Sequence, residues 1–273
     1  MTTVAETLKR RLAEAHERKI AAAEGDRHAG LPTSFAQERL WLVDRLIPRP
    51  SAYHVARAFD LSPADGALDH PPFDHPPFDH RAFAAAVADL AARHQVLATT
   101  IEQRDGEVEG PVQRLRPELA PRPRYADLTG LPPAAAERAT GELLAAATER
   151  PFHLAAEAPL RLLWVLRPGG AHTLLLVLHH VAADGWSLPI LYRDLAALYR
   201  ARREGVAAEL PPLAVQYADF AAWQRQRLGG ERLERLLDFW TGHLDGAPAL
   251  LDLPTDAPRP ARRSMRGART THR

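Results

Sequence analysis

Apolar residues along the chain follow two periods that together predict a mixed fold. Helices are predicted where apolar residues recur every three or four positions, at 4–23, 35–46, 81–94, 132–149 and 188–203. Residues 217–228 and 231–244 are expected to be ordered parts of a largely helical region. Strands are predicted where short apolar or alternating runs stand between turn residues, at 53–61, 96–102, 108–115, 160–166 and 173–178. This mixture is typical of an α+β protein, arranged as an α/β sandwich.

The last two predicted strands form a candidate hairpin that leads into the most distinctive segment. Both runs are continuously apolar, and Pro168-Gly169-Gly170 lies between them. Continuous apolar runs are typical of strands that are buried on both faces. The second run ends at His179 and His180, and a helix follows with Ser187 as its predicted N-cap. A pair of histidines is therefore expected where a buried strand gives way to a loop and a helix.

Length, charge and composition argue against several classes of protein. The 273 residues suffice for one large domain or two small lobes, and no apolar run approaches the roughly 20 residues of a membrane helix. The net charge is +1, with 35 basic and 34 acidic residues interspersed, which argues against a nucleic-acid-binding surface. Cysteine is absent, which excludes disulfides, thiolate nucleophiles and cysteine-bound metals. The first residues lack the pattern of a secretory signal, so a cytoplasmic location is expected.

The histidine pair is the best candidate for chemistry. An imidazole can take up a proton near physiological pH, because its reference pKa is about 6.5. Side chains alternate along a strand, so His179 and His180 face opposite sides and cannot both bind one metal ion. Gly185 follows shortly and would let a long, thin substrate approach the backbone. The segment predicts an acid–base or hydrogen-bonding site without a metal.

Two other segments are unusual but carry less information. Residues 69–80 read DHPPFDHPPFDH, whose prolines predict an extended loop. Its histidines could suggest a metal site, but a short repeat within one loop is more typical of an inserted sequence. Residues 256–273 are rich in arginine and have no hydrophobic period, so they are expected to form a tail.

Several motifs resemble those of one known family. Residues 179–187 read HHVAADGWS, which is similar to the HHxxxDG motif of the condensation domains of nonribosomal peptide synthetases, within the superfamily of chloramphenicol-acetyltransferase-like acyltransferases. Four further segments of this chain resemble other motifs of the same family: SFAQERLW at 34–41, RHQVLATT at 93–100, YADFAAW at 217–223 and LPTDAPRP at 253–260. The resemblance covers about residues 31–267.

The resemblance implies an architecture of two lobes. It places a first lobe at 28–186, after an N-terminal helix or linker at 1–27. It places the helical start of a second lobe at 187–255, with the arginine-rich tail at 256–273. Since the family's later motifs would follow residue 273, the chain is expected to represent the first lobe, with the second lobe largely missing.

The resemblance also implies a reaction. His180 would be the catalytic residue, at the middle of a tunnel between the lobes. A donor acyl or peptidyl thioester and an acceptor aminoacyl thioester would enter on the phosphopantetheine arms of upstream and downstream carrier proteins and form an amide bond. His180 would act either as a general base or by positioning the amine. His179, Asp184 and Gly185 would support it, with Asp184 paired to an arginine, and the domain itself would bind no cofactor.

Three departures from the family pattern leave alternatives open, and the first is the repeat at 69–80, which lies between a strand and a helix that the family joins without it. Gln95 and Ala98 replace the usual Glu and Arg of the second motif, which predicts a weaker ionic anchor in the core. The expected lack of a second lobe admits an inactive remnant or an interaction fragment. It also admits an active form that is completed by a complementary C-terminal fragment. A stand-alone acyltransferase of the same superfamily that uses coenzyme A is the third alternative.

Overall fold

A computed structural model describes residues 20, 22–23, 25–47, 50–61, 78–103, 110–251 and 254–258. Most of the predicted helix at 4–23, most of the repeat at 69–80 and most of the tail at 256–273 lie outside the described residues. The chain divides into two compact units, Met1–Arg225 and Gln226–Arg273.

The helices and strands follow the predicted order. The strands are β1 (Leu31–Pro32), β2 (His54–Leu61), β3 (Thr99–Gln103), β4 (Pro111–Leu115), β5 (Arg124–Asp127), β6 (Leu160–Leu166) and β7 (His172–His179). The helices are α1 (Phe35–Leu46), α2 (His80–Arg93), α3 (Pro133–Glu149), α4 (Ser187–Glu204), α5 (Tyr217–Arg227) and α6 (Gly230–Leu244). The predicted elements within the described residues are confirmed to within a few residues at their ends. The short strands β1 and β5 were not predicted.

The strands form two sheets. One has the order β1-β4-β3, and the other has the order β2-β7-β6-β5. Strands β6 and β7 are antiparallel, with Leu160 opposite Leu178, which confirms the predicted hairpin. Gly169, at the turn, has a positive φ of 77°, a conformation that favours glycine. Strand β2 pairs with the other edge of β7 and places His54 opposite His179.

Strand β7 is buried on both faces of the four-stranded sheet. Its even-numbered residues Leu174, Leu176 and Leu178 pack with buried residues of α2 and α4. Its odd-numbered residues Leu175 and Val177 pack in a second cluster, to which α1 and α3 contribute partly buried side chains. Helices therefore cover both faces of the sheet, and the continuous apolar run of β7 follows from this arrangement.

Helix α4 packs in the same core as the elements that precede residue 186. Its residues Leu188, Leu191, Leu195 and Tyr199 are buried in the cluster that also contains the apolar face of α2. The first compact unit continues to Arg225. Helix α4 thus packs with the elements that precede it, because α2 and the sheet cover its apolar face. The lobe boundary expected after residue 186 stays a prediction.

Local signals explain why α1 begins where it does. The Ser34 hydroxyl accepts a hydrogen bond from the Gln37 backbone N–H at 3.1 Å. The Gln37 side chain in turn accepts from the Ser34 backbone N–H at 3.0 Å, which completes a capping box. The Tyr217 hydroxyl lies 3.0 Å from the Ser34 hydroxyl, so α5 is tied to the start of α1.

The second compact unit contains α6, which has one strongly apolar face. Its exposed apolar side chains include Leu236, Leu237, Phe239, Trp240 and Leu244. Amphipathic helices of this kind normally bury their apolar face. No helix in the described part of the chain is long and apolar enough to cross a membrane.

Candidate active site at the end of strand β7

The two histidines at the end of β7 have opposite environments. His179 is completely buried, with 0% of its surface exposed. His180 is exposed. This contrast follows from the alternation of side chains along a strand, which places His179 on the face of Leu175 and Val177. Of the two imidazoles, His180 is therefore the one that a substrate can reach.

The backbone around His180 is held on both sides. The His180 N–H donates to the Tyr53 carbonyl at 2.8 Å, just before β2 begins. The Ala182 N–H donates to the His179 carbonyl at 3.0 Å and closes a tight turn after the strand. A side chain mounted on such a segment needs little further ordering when a substrate binds.

Both ring nitrogens of His179 face polar partners. Its Nδ1 accepts a hydrogen bond from the Val181 backbone N–H at 3.1 Å. Its Nε2 lies 3.4 Å from Oδ1 of Asp44, on α1. The ring also meets His54 and Phe152 edge to face, with centroid distances of 6.0 and 5.9 Å. Sequence reasoning missed Asp44, since nothing local marks a helix residue as the partner of a strand 135 residues away.

His54 is part of the same buried cluster. Its Nδ1 lies 2.6 Å from the Thr148 carbonyl of α3, so this nitrogen donates. Burial lowers the pKa of His54 below its ordinary value, against the raising effect of the bond to Thr148. The neutral form of this histidine is therefore favoured in the folded chain.

Asp184 differs from the expectation that it pairs with an arginine. It is exposed, and its Oδ1 accepts from the Ser187 N–H at 2.9 Å and from the Ser187 hydroxyl at 2.7 Å. Within the described residues, no arginine lies at ion-pair distance from it. The hydrogen bonds from Ser187 lower the pKa of Asp184 below its ordinary value, with burial opposing them. Ser187 is the first residue of α4 and Trp186 is its N-cap, so the predicted N-cap at Ser187 is wrong. Asp184 accepts the Ser187 N–H at the start of the helix.

Gly185 and Trp186 follow on the surface. A Cβ placed on Gly185 would meet no atom within 4 Å. Trp186 is 88% exposed, which is unusual for a large aromatic side chain. Near His180, the loop after β7 therefore exposes the backbone at Gly185 and the indole ring of Trp186 to solvent.

A buried ion-pair cluster links α4 to the end of α2. Asp194 is fully buried and accepts from Arg93 Nε at 2.9 Å and from His94 Nε2 at 2.8 Å. Burial opposes ionisation of Asp194, but the hydrogen bonds from Arg93, His94 and Arg193 outweigh it and lower the pKa of this carboxyl. Arg93 and His94, the first two residues of RHQVLATT, thus form an ionic anchor with Asp194. The available signal was an acidic residue on the apolar face of a predicted helix. The weakening expected from Gln95 and Ala98 stays a prediction.

An apolar groove of about 310 Å³ lies beside the motif loop. Its lining includes Ala182, Ala183, Ser187, Ile190, Leu213 and Tyr217. Among the described residues, no group of three or more His, Cys, Asp or Glu side chains is arranged to hold a metal ion. The arrangement offers one accessible imidazole, an apolar surface next to it and an open stretch of backbone.

Comparisons with known proteins agree with this architecture. The solved complex of the X-domain and OxyB from teicoplanin biosynthesis matches with a TM-score of 0.66 and 31% identity, over 89% of this chain and 49% of that chain. The sheet covered by helices on both faces, with the histidine pair at the end of its central strand, is a lobe of the chloramphenicol-acetyltransferase-like fold. Residues 28–273 match the family model described as condensation domain, and the chain belongs to the condensation-domain family.

Curated relatives are peptide synthetases. A linear gramicidin synthase polypeptide of Brevibacillus parabrevis is 38% identical over 245 residues, which are 90% of this chain and 3% of that protein. Phosphinothricin tripeptide synthetase PhsC of Streptomyces viridochromogenes is 38% identical over 239 residues, 88% of this chain and 20% of that protein. The chain thus spans a small part of these synthetases and about half of the solved chain. The family resemblance indicated by the motifs is confirmed.

Proposed function

We propose that this chain supplies the histidine-bearing lobe of a nonribosomal peptide synthetase condensation domain. The reaction is amide-bond formation between a donor acyl or peptidyl thioester and the amine of an acceptor aminoacyl thioester. The observation that carries the proposal is the contrast at the end of β7, where His179 is buried and His180 is exposed on a backbone held by Tyr53. Family membership supports it independently.

The proposed step balances as follows. The acceptor amine nitrogen attacks the donor thioester carbonyl carbon, the C–N bond forms, the C–S bond breaks, and the sulfur leaves as the thiol of the donor arm. The amine proton reaches the leaving sulfur in one of two ways: His180 takes it as general base and then returns it to the sulfur, or it passes to the sulfur while His180 positions the amine by a hydrogen bond. A thioester is already activated, so holding the two groups together supplies much of the rate in either case.

In this proposal the other motif residues hold or shape the backbone segment that bears His180. His179 fills the buried position beneath it, Asp184 holds the start of α4, and Gly185 leaves room for a thin substrate. The substrates arrive on the phosphopantetheine arms of upstream and downstream carrier proteins, and the domain contributes no cofactor of its own. The apolar groove beside Ala182 and Ile190 suits the uncharged length of such an arm.

A second lobe would complete the site. The solved chain that matches is about twice as long as the part matched here, and α6 has exposed apolar side chains that include Phe239 and Trp240. An apolar face of this kind supports docking of the remaining half of the domain, on the same polypeptide or as a complementary C-terminal fragment. Enclosure by that half would exclude water from the thioester.

A second candidate function is docking without catalysis. The solved relative at 31% identity is an X-domain in complex with OxyB, so a fold of this kind also occurs as a partner in a protein complex. A truncated remnant or interaction fragment would bind a partner through its surface and would not need His180. Use of soluble coenzyme A thioesters by a stand-alone acyltransferase is a third candidate, and the family match favours it least.

The test measures amide formation on the acceptor carrier protein by intact mass. The chain is supplied with donor- and acceptor-loaded carrier proteins, with and without the separately expressed second lobe of a condensation domain, and with an acyl coenzyme A in place of the loaded donor. We expect product from the carrier-bound pair when the second lobe is present. His180→Ala should lower the rate by about 10²- to 10⁴-fold.

The matched control is His153→Ala, which removes another exposed histidine from the loop before β6 and should leave the rate unchanged. His179→Ala should act mainly on folding, because that side chain is buried. Equal rates for His180→Ala and the unsubstituted chain would reject the proposal. Product from acyl coenzyme A alone would favour the stand-alone acyltransferase.

A further inference from the structure

The tautomer of His179 follows from its contacts. A backbone N–H can only donate, so the bond from Val181 at 3.1 Å requires a lone pair on Nδ1. In the neutral ring the hydrogen then lies on Nε2, the nitrogen that is 3.4 Å from Oδ1 of Asp44. The Asp44 side chain is only 12% exposed, so little water competes for this contact. The Val181 N–H and the Asp44 carboxylate, one at each ring nitrogen, therefore fix the tautomer and the tilt of the ring together.

This ring is connected to the segment that bears His180. His180 stands between His179 and Val181 in the sequence, and the Tyr53 carbonyl holds the segment on its upstream side. On the downstream side, the side-chain contact is the bond from the Val181 N–H to His179 Nδ1. If the ring of His179 rotates, the Val181 N–H loses its acceptor and the turn that carries His180 loses one of its restraints.

We propose that Asp44 is a positioning residue for His180 that acts through His179. The inference rests on the proposed function, in which His180 touches the substrate. Asp44 does not touch the substrate itself: it lies on α1, on the face of the sheet that also buries His179.

His54 also neighbours the His179 ring, and it does not orient that ring as Asp44 does. Its Nδ1 is engaged by the Thr148 carbonyl. Its Nε2 has no hydrogen-bond partner within the described residues, and the two rings meet edge to face at 6.0 Å. His54 therefore packs against His179 without orienting it by a hydrogen bond.

The first test does not depend on an activity measurement, and it uses the whole chain with ¹⁵N-labelled histidine. Long-range ¹H–¹⁵N correlation spectra report which ring nitrogen carries the hydrogen. We expect His179 to carry it on Nε2 in the unsubstituted chain. Asp44→Asn should preserve this tautomer, because an amide oxygen also accepts a hydrogen bond. Asp44→Ala should allow the second tautomer, speed hydrogen exchange of the Val181 N–H about tenfold or more and shift the ring signals of His180.

The matched control is Asp89→Asn, which removes a carboxylate from α2 that pairs with Arg202 on the surface. It should leave the signals of His179, Val181 and His180 in place. A His179 ring that carries its hydrogen on Nδ1 in the unsubstituted chain would overturn the inference without any variant. So would Asp44→Ala spectra in which Val181 and His180 are unchanged in a folded chain.

The second test measures condensation with carrier-bound substrates and the second lobe supplied. Asp44→Ala should lower kcat about tenfold or more and leave KM for both thioesters unchanged, and Asp44→Asn should restore most of kcat. Unchanged kcat for Asp44→Ala, beside a large loss for His180→Ala, would overturn the positioning role alone. Equal activity of His180→Ala and the unsubstituted chain would reject the proposed function and leave the tautomer result standing.

Discussion

Gly185 is the motif residue that the packing of this chain does not require. A Cβ at this position would meet nothing within 4 Å, and Gly185 is not among the glycines with positive φ. We therefore predict that Gly185→Ala changes the free energy of unfolding by no more than about 0.5 kcal/mol. Under the proposed function, the added methyl group should instead raise KM for carrier-bound substrates, because it narrows the approach to the backbone beside His180.

Gly141, in the middle of α3, is the matched control for this substitution. Its Cβ space is also open, and it lies in a helix, where alanine is favoured. Gly141→Ala should stabilise the chain by about 0.5 to 1 kcal/mol and leave KM unchanged. A large loss of stability in Gly185→Ala, measured by chemical denaturation, would show that the glycine serves the fold.

At the scale of elements, Asp194 joins α4 to the end of α2. Its buried carboxylate accepts from Arg93 and His94, at 2.9 and 2.8 Å. Asp194→Ala should lower the free energy of unfolding by about 3 to 5 kcal/mol, because it leaves the largely buried Arg93 without its partner. Denaturant titrations followed by circular dichroism measure this loss.

The same two helices provide the control. Asp89 on α2 and Arg202 on α4 form an ion pair at 2.6 Å, with side chains that are 29% and 52% exposed. Asp89→Ala should cost only about 0 to 1 kcal/mol, since water screens the pair. Equal losses for the two variants would mean that burial of Asp194 contributes nothing to the link between the helices.

For the whole molecule, shifted pKa values predict the direction of acid sensitivity. Burial lowers the pKa of His54 and of His172 below the ordinary value of 6.5. For Glu157 and Asp194, burial raises the pKa, but hydrogen bonds from neighbouring side chains outweigh it and lower each value below the ordinary 4.5 and 3.8. In each case the unfolded chain takes up protons at a higher pH than the folded chain, so stability falls as pH falls.

The expected profile has two stages. The histidine contribution is complete above about pH 6.5 and is lost as pH falls below it, and the carboxylate contribution is lost as pH falls through the lower folded values. The denaturation midpoint should therefore decline from pH 7 to pH 5 and more steeply below about pH 4.5. Asp194→Asn should flatten the steep part. A midpoint that rises on acidification would contradict the prediction.

Most elements could be predicted from the sequence because their signals are local. Ser34 and Gln37 form the capping box that starts α1, and Gly169 sits in the turn between β6 and β7. Strand β5 was missed because its four residues, three of them exposed, are ordered by pairing with β6. The sequence did not predict that α2 covers the apolar face of α4, because no local signal records that contact.

For the candidate site too, some features follow from the sequence and others only from the tertiary structure. The sequence by itself determined that a histidine pair ends a buried strand, that its members face opposite sides, and that the chain resembles condensation domains, because strand periodicity and short motifs are properties of neighbouring residues. Only the tertiary structure decided that Asp44 faces His179, that Arg93 and His94 hold Asp194, and that Asp184 binds Ser187 instead of an arginine. The first two partnerships join residues about 100 or more positions apart, and the packing of helices on the sheet, which no local pattern records, brings them together.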